Sequence, residues 1–387
     1  MQLSQPNDRA RITILMLTAS LSLTGTHRIL MNLLEGLDQE KFKVLVAYKP
    51  QFPGPGDDLA SQIIELDFRL FPLRGSHLFD VKGLWDLYKI VRTYRIDIIH
   101  CWDSLTIMAR LIGKICRTKV IDSIGNPAVE INRKEYLAKK VSSIFLDGVI
   151  FQSKESQAFH RKQGPNLLRW CKQIVIYNSI DVREIPNHNT KIKNKIRKKY
   201  GLKATDIIMT NLGMYNVQKS QEYIIQALDE IVKHNNNIKL FLIGWGERED
   251  LLRSQIRSLG LMNHVVLTGK KQRDEVFEFL SITDIYLSSS LWEGLPIASL
   301  EAMAFGVPIV ATDVIGNREA LANSVTGFLV PVRNSKAIAH AIKHLIENPE
   351  VRERMGQAGR KRVQDAFSPE KFLEQHQKFY SRILKRT

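Results

Sequence analysis

The sequence predicts an α/β protein with two doubly wound parallel sheets, and three observations support that fold class. Short apolar runs alternate with helical patterns along the chain, which is typical of parallel sheets covered by helices on both faces. The 387 residues are enough for two domains, each with its own core. The composition, 44% hydrophobic and 25% charged, is that of an ordinary globular protein.

In the first half of the chain, apolar runs bounded by polar residues are predicted to form strands. They lie at residues 12–17, 42–47, 96–100, 119–121, 148–151 and 174–177. Apolar residues at helical spacing separate most of them, as around 27–37 and 84–94. We therefore predict that residues 1–185 form a first Rossmann-like domain.

The second half repeats the scheme and is predicted to form a second Rossmann-like domain over residues 186–367. Its predicted strands are 207–212, 238–243, 264–268, 284–287, 307–312 and 327–330. The polar stretch 181–190 is the candidate linker. The last segment, 368–387, begins with Ser368-Pro369 and has an apolar stripe that needs a surface to cover. We expect this helix to cross back onto the first domain.

Two carboxylates, Glu293 and Glu301, lie eight residues apart on a predicted turn between a strand and a helix. Pro296 suits the first helical position, and Gly306 suits the position just after the helix end. Such a turn lies at the carboxyl ends of the strands, where open α/β sheets bind ligands. The amino end of a helix attracts phosphate, and a carboxylate can accept two hydrogen bonds from a vicinal diol. The alternative is an ordinary turn with two solvated glutamates.

The formal charge of +16 and the pI near 9.7 indicate an anionic partner. The densest basic run, 190–200, has apolar residues on one side only and is best explained as a solvated helix face. A second basic region runs from Arg133 to Lys172 and is suited to contact with anionic lipid. Nucleic acid is not expected, because no recognised nucleic-acid-binding module accompanies the charge.

The cysteines and the apolar segments indicate a compartment. Cys101, Cys116 and Cys171 have neither metal-ligand spacing nor a disulfide framework, which favours reducing conditions. Residues 1–10 lack the apolar core of a signal peptide, and no stretch approaches the roughly 20 apolar residues of a membrane span. We expect a cytoplasmic protein, with peripheral contact at the inner face of the membrane.

A dense series of motifs begins at Gly213. It comprises Gly-x5-Lys at 213–219, Gly-x-Gly at 244–246, Glu-Gly-Leu-Pro at 293–296, the Glu293/Glu301 pair and Thr-Gly-Phe-Leu-Val-Pro at 326–331. The stretch from Gly213 to about Leu384 resembles the second domain of a retaining glycosyltransferase of family 4 (glycosyl transferases group 1). The first half is similar in outline, through Gly25, residues 97–100 and residues 178–181. The resemblance implies the GT-B fold, in which two Rossmann-like domains face a cleft.

The resemblance also implies roles for individual residues. Glu301 would bind the ribose hydroxyls of a nucleotide-sugar donor, Glu293 would contact the donor sugar, and Lys219 would neutralise the leaving diphosphate. Glu293 and Lys219 are thus the catalytic candidates. The rest of the donor set is Gly213, Gly244, Gly294, Leu295, Pro296 and Ile297. No metal or other cofactor is expected, because Lys219 and helix dipoles would take the place of a cation.

The acceptor side is less well defined by the resemblance. Its candidates are Gly25, His27 and His100, although a histidine that ends a strand is more often a structural residue. Three positions depart from the family pattern. Met214 stands where an arginine is usual, only Gly25 remains of a glycine pair, and Ile124 precedes Gly125 where a histidine is common. Lys270 or Lys271 is the candidate replacement for the missing arginine.

The expected activity is transfer of a sugar from a nucleotide diphosphate to a hydroxyl of a glycan or lipid-linked glycan, in polysaccharide or lipopolysaccharide-type biosynthesis. Three alternatives remain open. One is a nucleotide-sugar-binding protein that has lost catalysis. Another is a glycoside hydrolase that uses Glu293 and Glu301 as acid and base. The third is a nucleic-acid-binding protein, suggested by the charge alone.

Overall fold

The computed structural model describes residues 11–21, 25–50, 59–75, 80–102, 105–124, 145–163, 170–185 and 190–385, with only the backbone of residues 25–28, 163 and 190. The chain divides into two compact units. The first unit consists of Met1–Ser179 and Pro369–Thr387, and the second consists of Ile180–Ser368. Within the described ranges, no helix is long and apolar enough to cross a membrane.

The first unit is built on a parallel sheet that has seven strands in its described part, in the order β3-β2-β1-β4-β5-β6-β7. The strands are β1 Ile12–Thr18, β2 Phe42–Tyr48, β3 Arg69–Pro72, β4 Ile98–Cys101, β5 Lys119–Ile124, β6 Gly148–Phe151 and β7 Lys172–Val175. The helices are α1 Gly25–Gly36, α2 Ala60–Glu65, α3 Val81–Thr93, α4 Thr106–Cys116 and α5 Lys154–Gln163. Every residue of β4 and β6 is buried, because helices cover both faces of the sheet.

The last helix, α14 Pro369–Leu384, packs on this first sheet. Its buried stripe is Phe372, His376, Phe379, Tyr380 and Ile383. The Tyr380 ring lies 5.9 Å from the Phe42 ring, measured between centroids. The Tyr380 hydroxyl lies 2.8 Å from Nδ1 of His100 in β4. The apolar stripe of the last helix, for which the sequence predicted a covering surface, is therefore buried within the first unit.

The second unit has a six-stranded parallel sheet in its described part, in the order β10-β9-β8-β11-β12-β13. Its strands are β8 Ile207–Leu212, β9 Ile238–Ile243, β10 Val265–Leu267, β11 Ile285–Ser288, β12 Ile309–Thr312 and β13 Gly327–Val330. Its longer helices are α6 Thr190–Lys199, α7 Glu222–Val232, α8 Glu249–Ser258, α9 Arg273–Ile282, α10 Ile297–Ala304, α12 Ser335–Glu347 and α13 Pro349–Ala366. A shorter helix, α11 Ile315–Ala320, follows β12.

Local sequence explains where several of these helices begin and end. Asp80 accepts a hydrogen bond from the Lys82 backbone N–H at the start of α3. Asn334 does the same for Ala337 at the start of α12. Gly306, with φ of 77°, ends α10 in the left-handed conformation that its position in the sequence predicted.

The differences between predicted and observed strands fall mainly at strand ends. Three predicted strands, 148–151, 207–212 and 238–243, match the observed bounds. The strand predicted at 174–177 instead lies at Lys172–Val175. The prediction missed β3 entirely, since Arg69–Pro72 is a short edge strand that has a proline and an exposed first residue.

Candidate active site

Two loops of the second unit meet at the carboxyl end of β8, the first strand of this unit along the chain. The Gly213–Lys219 segment follows β8, and Glu293 follows β11, the neighbouring strand. From β8 the chain continues through β9 and β10 on one side and then crosses to β11 on the other. The gap between β8 and β11 is therefore the point where the strand order reverses, and open α/β sheets bind ligands there, beyond the carboxyl ends.

At this point the Lys219 ammonium and the Glu293 carboxylate form an ion pair. Lys219 Nζ donates to Glu293 Oε1 at 2.5 Å, and the Ser290 hydroxyl donates to the same oxygen at 2.6 Å. The Glu293 side chain is 7% exposed and that of Lys219 is 22% exposed. Both charges of the pair are thus held in place and partly shielded from water, which strengthens the attraction between them.

Backbone and side-chain hydrogen bonds hold the two loops together around this pair. Gln218 accepts from the Leu291 N–H at 2.8 Å through its carbonyl and donates from its amide to the Trp292 carbonyl at 2.9 Å. The Ser289 hydroxyl lies 2.8 Å from the carbonyl of Lys219. Because these bonds cross from one loop to the other, the two loops hold Lys219 and Glu293 in place relative to each other.

Glu301 lies on α10, the helix that begins just after the Glu293 turn. It is 9% exposed, and Gly294, Leu295 and Pro296 between the two carboxylates are also buried. Pro296 is the N-cap of α10, with φ of −77° and ψ of 102°, and Ile297 is the first helical residue. The prediction that Pro296 occupies the first helical position was therefore wrong by one residue, since its ψ is extended.

Glycines allow close approach of the loops on the β8 side of the site. An added Cβ at Gly244, where φ is 156°, would lie 2.0 Å from the carbonyl oxygen of Gly213. At Gly246 it would lie 2.4 Å from the carbonyl oxygen of Tyr215. At Gly213 it would lie 3.2 Å from the Lys219 side chain. The Gly-x-Gly pattern is thus needed for the β8 and β9 loops to pack against each other.

The two glutamates influence the same buried phenol. Burial raises the pKa of Tyr286, on β11, above its ordinary value, and the negative charges of Glu293 and Glu301 raise it further, against a backbone hydrogen bond with Leu212. The Tyr286 hydroxyl lies 3.3 Å from the carbonyl oxygen of Leu212, at the end of β8. Both carboxylates therefore belong to one electrostatic environment at the ends of β8 and β11.

Met214, which replaces the arginine expected from the resemblance, is 40% exposed. The two candidate replacements make other contacts. Lys270 Nζ lies 5.0 Å from the centre of the Trp245 ring, and Lys271 Nζ lies 3.3 Å from Glu275 Oε1. The loop that carries both lysines is next to the site, because the Gly244 N–H donates to the Gly269 carbonyl at 3.2 Å.

Comparison with known proteins agrees with this geometry. The family described as glycosyl transferases group 1 matches residues 192–362, and the family described as glycosyltransferase family 4 matches residues 23–184. This chain is a family 4 (group 1) glycosyltransferase. The group 1 match lies within the second unit, and the family 4 match lies in the first unit except for residues 180–184.

Individual relatives of this glycosyltransferase cover most of its length. An Escherichia coli protein named UDP-Gal:alpha-D-GlcNAc-diphosphoundecaprenol alpha-1,3-galactosyltransferase is 26% identical over 345 residues, or 84% of this chain and 86% of that protein. The capsular polysaccharide biosynthesis glycosyltransferase CapM of Staphylococcus aureus is 28% identical over 254 residues, covering 65% of each chain. The Anabaena HepE structure in complex with UDP and glucose has a TM-score of 0.84 and 20% identity, covering 96% of this chain and 100% of that one. The fold is GT-B.

In the first unit of this glycosyltransferase, the contacts of His100 are those of a structural core residue. His100 is completely buried, and its Nε2 lies 2.7 Å from the Ser123 hydroxyl while its Nδ1 faces Tyr380. Gly25 is the first residue of α1, and the side chain of His27 lies outside the described residues, as does Gly125. Ile124 is the last residue of β5. We therefore leave His100 out of the acceptor site.

Sequence reasoning missed several residues that support the donor-side loops. Ser290 contacts Glu293, and the Thr312 hydroxyl donates to the Ser290 carbonyl at 2.5 Å. The Gly316 N–H donates to the Glu293 carbonyl at 3.1 Å, and an added Cβ there would lie 2.6 Å from the Gly294 carbonyl oxygen. The serine run 288–290 directly after a strand was the available signal. Gly316 had none, because its partner is distant in sequence.

Proposed function

We propose that this glycosyltransferase is a retaining, metal-independent enzyme that transfers a sugar from a uridine diphosphate donor to a hydroxyl of a lipid-linked glycan. The observation that carries the proposal is the Lys219–Glu293 pair at the strand-order reversal, beside the amino end of α10. The E. coli relative, whose name gives a UDP-sugar donor and a diphosphoundecaprenol-linked acceptor, supports the choice of substrates.

The donor fits this site by charge and by hydrogen-bonding capacity. A diphosphate is an anion, and the amino end of α10 supplies positive potential. The charge of Lys219 is balanced by Glu293, but its ammonium carries three N–H donors and can also donate to a phosphate oxygen. Glu301 offers two acceptor oxygens, which suits the neighbouring ribose hydroxyls. Glu293 is held by Lys219 and Ser290 close to the expected diphosphate, a position suited to hydroxyls of the donor sugar.

The proposed reaction exchanges one glycosidic bond for another on the same face of the sugar. The bond between the anomeric carbon and the diphosphate oxygen breaks, and the bond between that carbon and the acceptor oxygen forms. The acceptor proton passes to an oxygen of the leaving phosphate, so the chain supplies no general base, and attack on the same face requires no covalent nucleophile. Lys219 acts mainly in the transition state, because negative charge builds on the leaving phosphate as its bond to the sugar lengthens.

The acceptor is proposed from the relatives and from the charge of the chain. Polysaccharide biosynthesis agrees with the name of the S. aureus relative. A formal charge of +16 suits an enzyme that works in the cytoplasm, against the inner face of an anionic membrane.

The first experiment is a thermal-shift screen with UDP, GDP, ADP and their sugars. Selective stabilisation by UDP and a UDP-sugar is expected, since a ligand that binds only the folded state raises the melting temperature. Transfer from the selected donor to undecaprenyl-diphosphate-linked saccharides is then followed with and without EDTA. Product with the donor's anomeric configuration and no loss of rate in EDTA are the expected results.

Three outcomes would contradict the proposal. Nucleotide binding without turnover on any acceptor would favour a binding protein, for which Met214 is the motivating departure. Hydrolysis of a glycan without added nucleotide sugar would favour the hydrolase. A product of inverted configuration would leave a glycosyltransferase but refute the retaining mechanism.

A further inference from the structure

We propose that Ser290 is a positioning residue that makes Glu293 contact a single hydroxyl of the donor sugar. The inference rests on the proposed function, in which Glu293 contacts that sugar, and it names the carboxylate oxygen that makes the contact. Ser290 lies in the loop after β11 and is 1% exposed. Its effect on the donor therefore passes through the Glu293 carboxylate, to which its hydroxyl donates.

Hydrogen bonds from the described residues reach one of the two carboxylate oxygens of Glu293. Oε1 accepts from Lys219 Nζ at 2.5 Å and from the Ser290 hydroxyl at 2.6 Å. An oxygen of an ionised carboxylate has about two acceptor positions, so these two donors use the capacity of Oε1. Within the part of the chain that the structure describes, Oε2 receives no hydrogen bond. Oε2 is therefore the oxygen available to a bound sugar.

This occupancy determines how the carboxylate can recognise a sugar. A carboxylate with both oxygens available can accept from two neighbouring hydroxyls, one at each oxygen. With Oε1 occupied, Glu293 cannot bridge such a pair, and the contact is confined to the hydroxyl that faces Oε2. The donor sugar is thus read at one position of its ring by this residue.

The backbone of Ser290 is held by buried hydrogen bonds from two other elements. The Thr312 hydroxyl, at the end of β12, donates to the Ser290 carbonyl at 2.5 Å. The Asn317 side-chain amide, on α11, donates to the Thr312 carbonyl at 2.8 Å. Thr312 and Asn317 are both completely buried. Because these bonds fix the backbone, the Ser290 hydroxyl is presented to Glu293 from a constant position.

The backbone of Glu293 is fixed by contacts that do not involve its carboxylate. The Gly316 N–H donates to the Glu293 carbonyl, and Gln218 holds the two preceding residues. Lys219 and Ser290, which lie on different loops, are therefore the groups that orient the carboxylate. With Lys219 alone, the carboxylate could turn about that one contact while the loop stays in place.

The neighbouring Ser289 shows what a purely structural serine does in this loop. It is also 1% exposed, but its hydroxyl lies 2.8 Å from the carbonyls of Lys219 and Ser220 and so holds one backbone segment against another. Ser290 differs, because its hydroxyl donates to a side chain assigned to the substrate. The two serines are matched in type, location and burial, and differ in what the hydroxyl contacts.

The test measures the contribution of the sugar to donor binding. Calorimetric titration of the full chain compares UDP with UDP-glucose, UDP-galactose and their N-acetylated counterparts. The ratio of the dissociation constants of UDP and a UDP-sugar isolates the sugar. We expect Ser290→Ala to lower this ratio about 10-fold, the effect of one hydrogen bond to a charged group, and to change the affinity for UDP less than about twofold.

Donor analogues identify the hydroxyl that Oε2 contacts. The titrations are repeated with UDP-sugars in which one sugar hydroxyl is replaced by hydrogen. In the wild-type chain, loss of the contacted hydroxyl should weaken binding about 10-fold, and in Ser290→Ala the same loss should have little effect. Losses at the other positions should be equal in the two proteins. A purely structural serine would lower all affinities by one factor and leave these differences unchanged.

Three further variants separate positioning from folding. Ser289→Ala should change the affinities for UDP and for UDP-sugars by the same factor. Ser290→Cys keeps the size but has a weaker donor, so its sugar contribution should lie between those of the wild type and Ser290→Ala. Thr312→Val keeps the shape and removes the bond to the Ser290 carbonyl, and it should reproduce part of the loss. Circular dichroism checks folding, and the last two variants carry the test if Ser290→Ala does not fold.

Equal effects of Ser290→Ala on UDP and on UDP-sugars would overturn the inference. So would a change of discrimination at two neighbouring hydroxyls, because that result requires both oxygens of Glu293 to contact the sugar. A wild-type chain that binds none of the UDP-sugars would refute the proposed donor and this inference with it. A chain that transfers sugar, but in which Ser290→Ala leaves every difference between analogues unchanged, would refute the positioning role alone.

Discussion

Lys219 Nζ lies 2.5 Å from Glu293 Oε1, so the residue assigned to the diphosphate and the residue assigned to the donor sugar are each other's partner. The pair joins loops 74 residues apart in sequence. A lysine held in this way is oriented in advance, which lowers the cost of stabilising charge in the transition state. If Lys219 has the proposed catalytic role, the same contact means that its substitution should change both turnover and stability, and the two effects have to be measured separately.

Substitution of Lys219 should affect turnover more than donor binding. We expect Lys219→Met to lower kcat about 10²- to 10³-fold and to raise the donor KM much less, because the charge it neutralises develops as the bond breaks. Steady-state kinetics with the donor found by thermal shift provide the measurement. Lys233→Met, which removes an exposed lysine paired with Asp229 on α7, is the control and should keep normal kinetics. Unchanged kcat in Lys219→Met would remove Lys219 from the mechanism.

The stability of the second unit should reveal the ion pair itself. We expect Lys219→Met to lower the free energy of unfolding by about 2 kcal/mol, because it leaves the buried Glu293 with fewer donors. Adding Glu293→Gln should recover part of the loss, since the uncompensated charge disappears. Urea unfolding of the two single variants and the double variant gives the coupling energy. Additive effects would indicate that the pair is not coupled in solution.

Glu301 should control nucleotide affinity. We expect Glu301→Ala to weaken binding of the nucleotide about 10-fold or more, because hydrogen bonds to a charged group contribute about 1.5–3 kcal/mol. Glu301→Gln keeps the shape and one acceptor oxygen, so its loss should be smaller. Calorimetric titration of both variants with the free nucleoside diphosphate is the measurement. Wild-type affinity in Glu301→Ala would refute the ribose assignment.

Acid should destabilise the first unit through its buried histidines. Burial lowers the pKa of His376 to about 4, and burial followed by the nearby His376 lowers that of His100 as well. Their unfolded pKa is about 6.5, so the unfolded state binds more protons as pH falls. The free energy of unfolding therefore has its full value above about pH 6.5. Below that pH it decreases by about 1.4 kcal/mol per pH unit for each histidine. For His376 the decrease ends near pH 4, where the folded state also binds the proton.

The free energy of unfolding is measured by chemical denaturation at several values of pH. The wild-type protein is compared with a variant that lacks one of the two buried histidines. His376→Gln should flatten the dependence, whereas His340→Gln, at an exposed position on α12, should leave it unchanged. A pH dependence that is the same in all three proteins would place the acid sensitivity elsewhere.

The glycine at the end of β9 should be essential for the packing of the donor-side loops. Gly244→Ala places a Cβ 2.0 Å from a backbone oxygen, so we expect a loss of about 3 kcal/mol or more and weaker nucleotide binding. Gly260→Ala is the matched control, since it also has a positive φ, 68°, but no atom within 4 Å of the added carbon. It should cost only about 1 kcal/mol. Similar losses of stability in the two variants would show that the positive φ, and not the close approach of the Gly213 carbonyl oxygen, accounts for the effect of Gly244→Ala.

The sequence was sufficient to predict the alternation of elements and the donor-side motif, because both are local patterns. Apolar runs identified β8 and β9 to the residue, and Gly306 identified the end of α10. The partner of Lys219 could not be predicted, since it depends on the pairing of β8 with β11. The same limit applies to His100: its bond to Tyr380 spans 280 residues, and no local pattern encodes such a distance.

That last contact also has a consequence for how the chain folds during synthesis. Tyr380 and Phe379 belong to the core of the first unit but leave the ribosome after the whole of Ile180–Ser368. The second unit can therefore complete its core first, while the first unit still exposes the apolar surface around Phe42 and Gly148 that α14 covers. The first unit is thus synthesised first, but it is the last to bury the apolar surface through which it could aggregate.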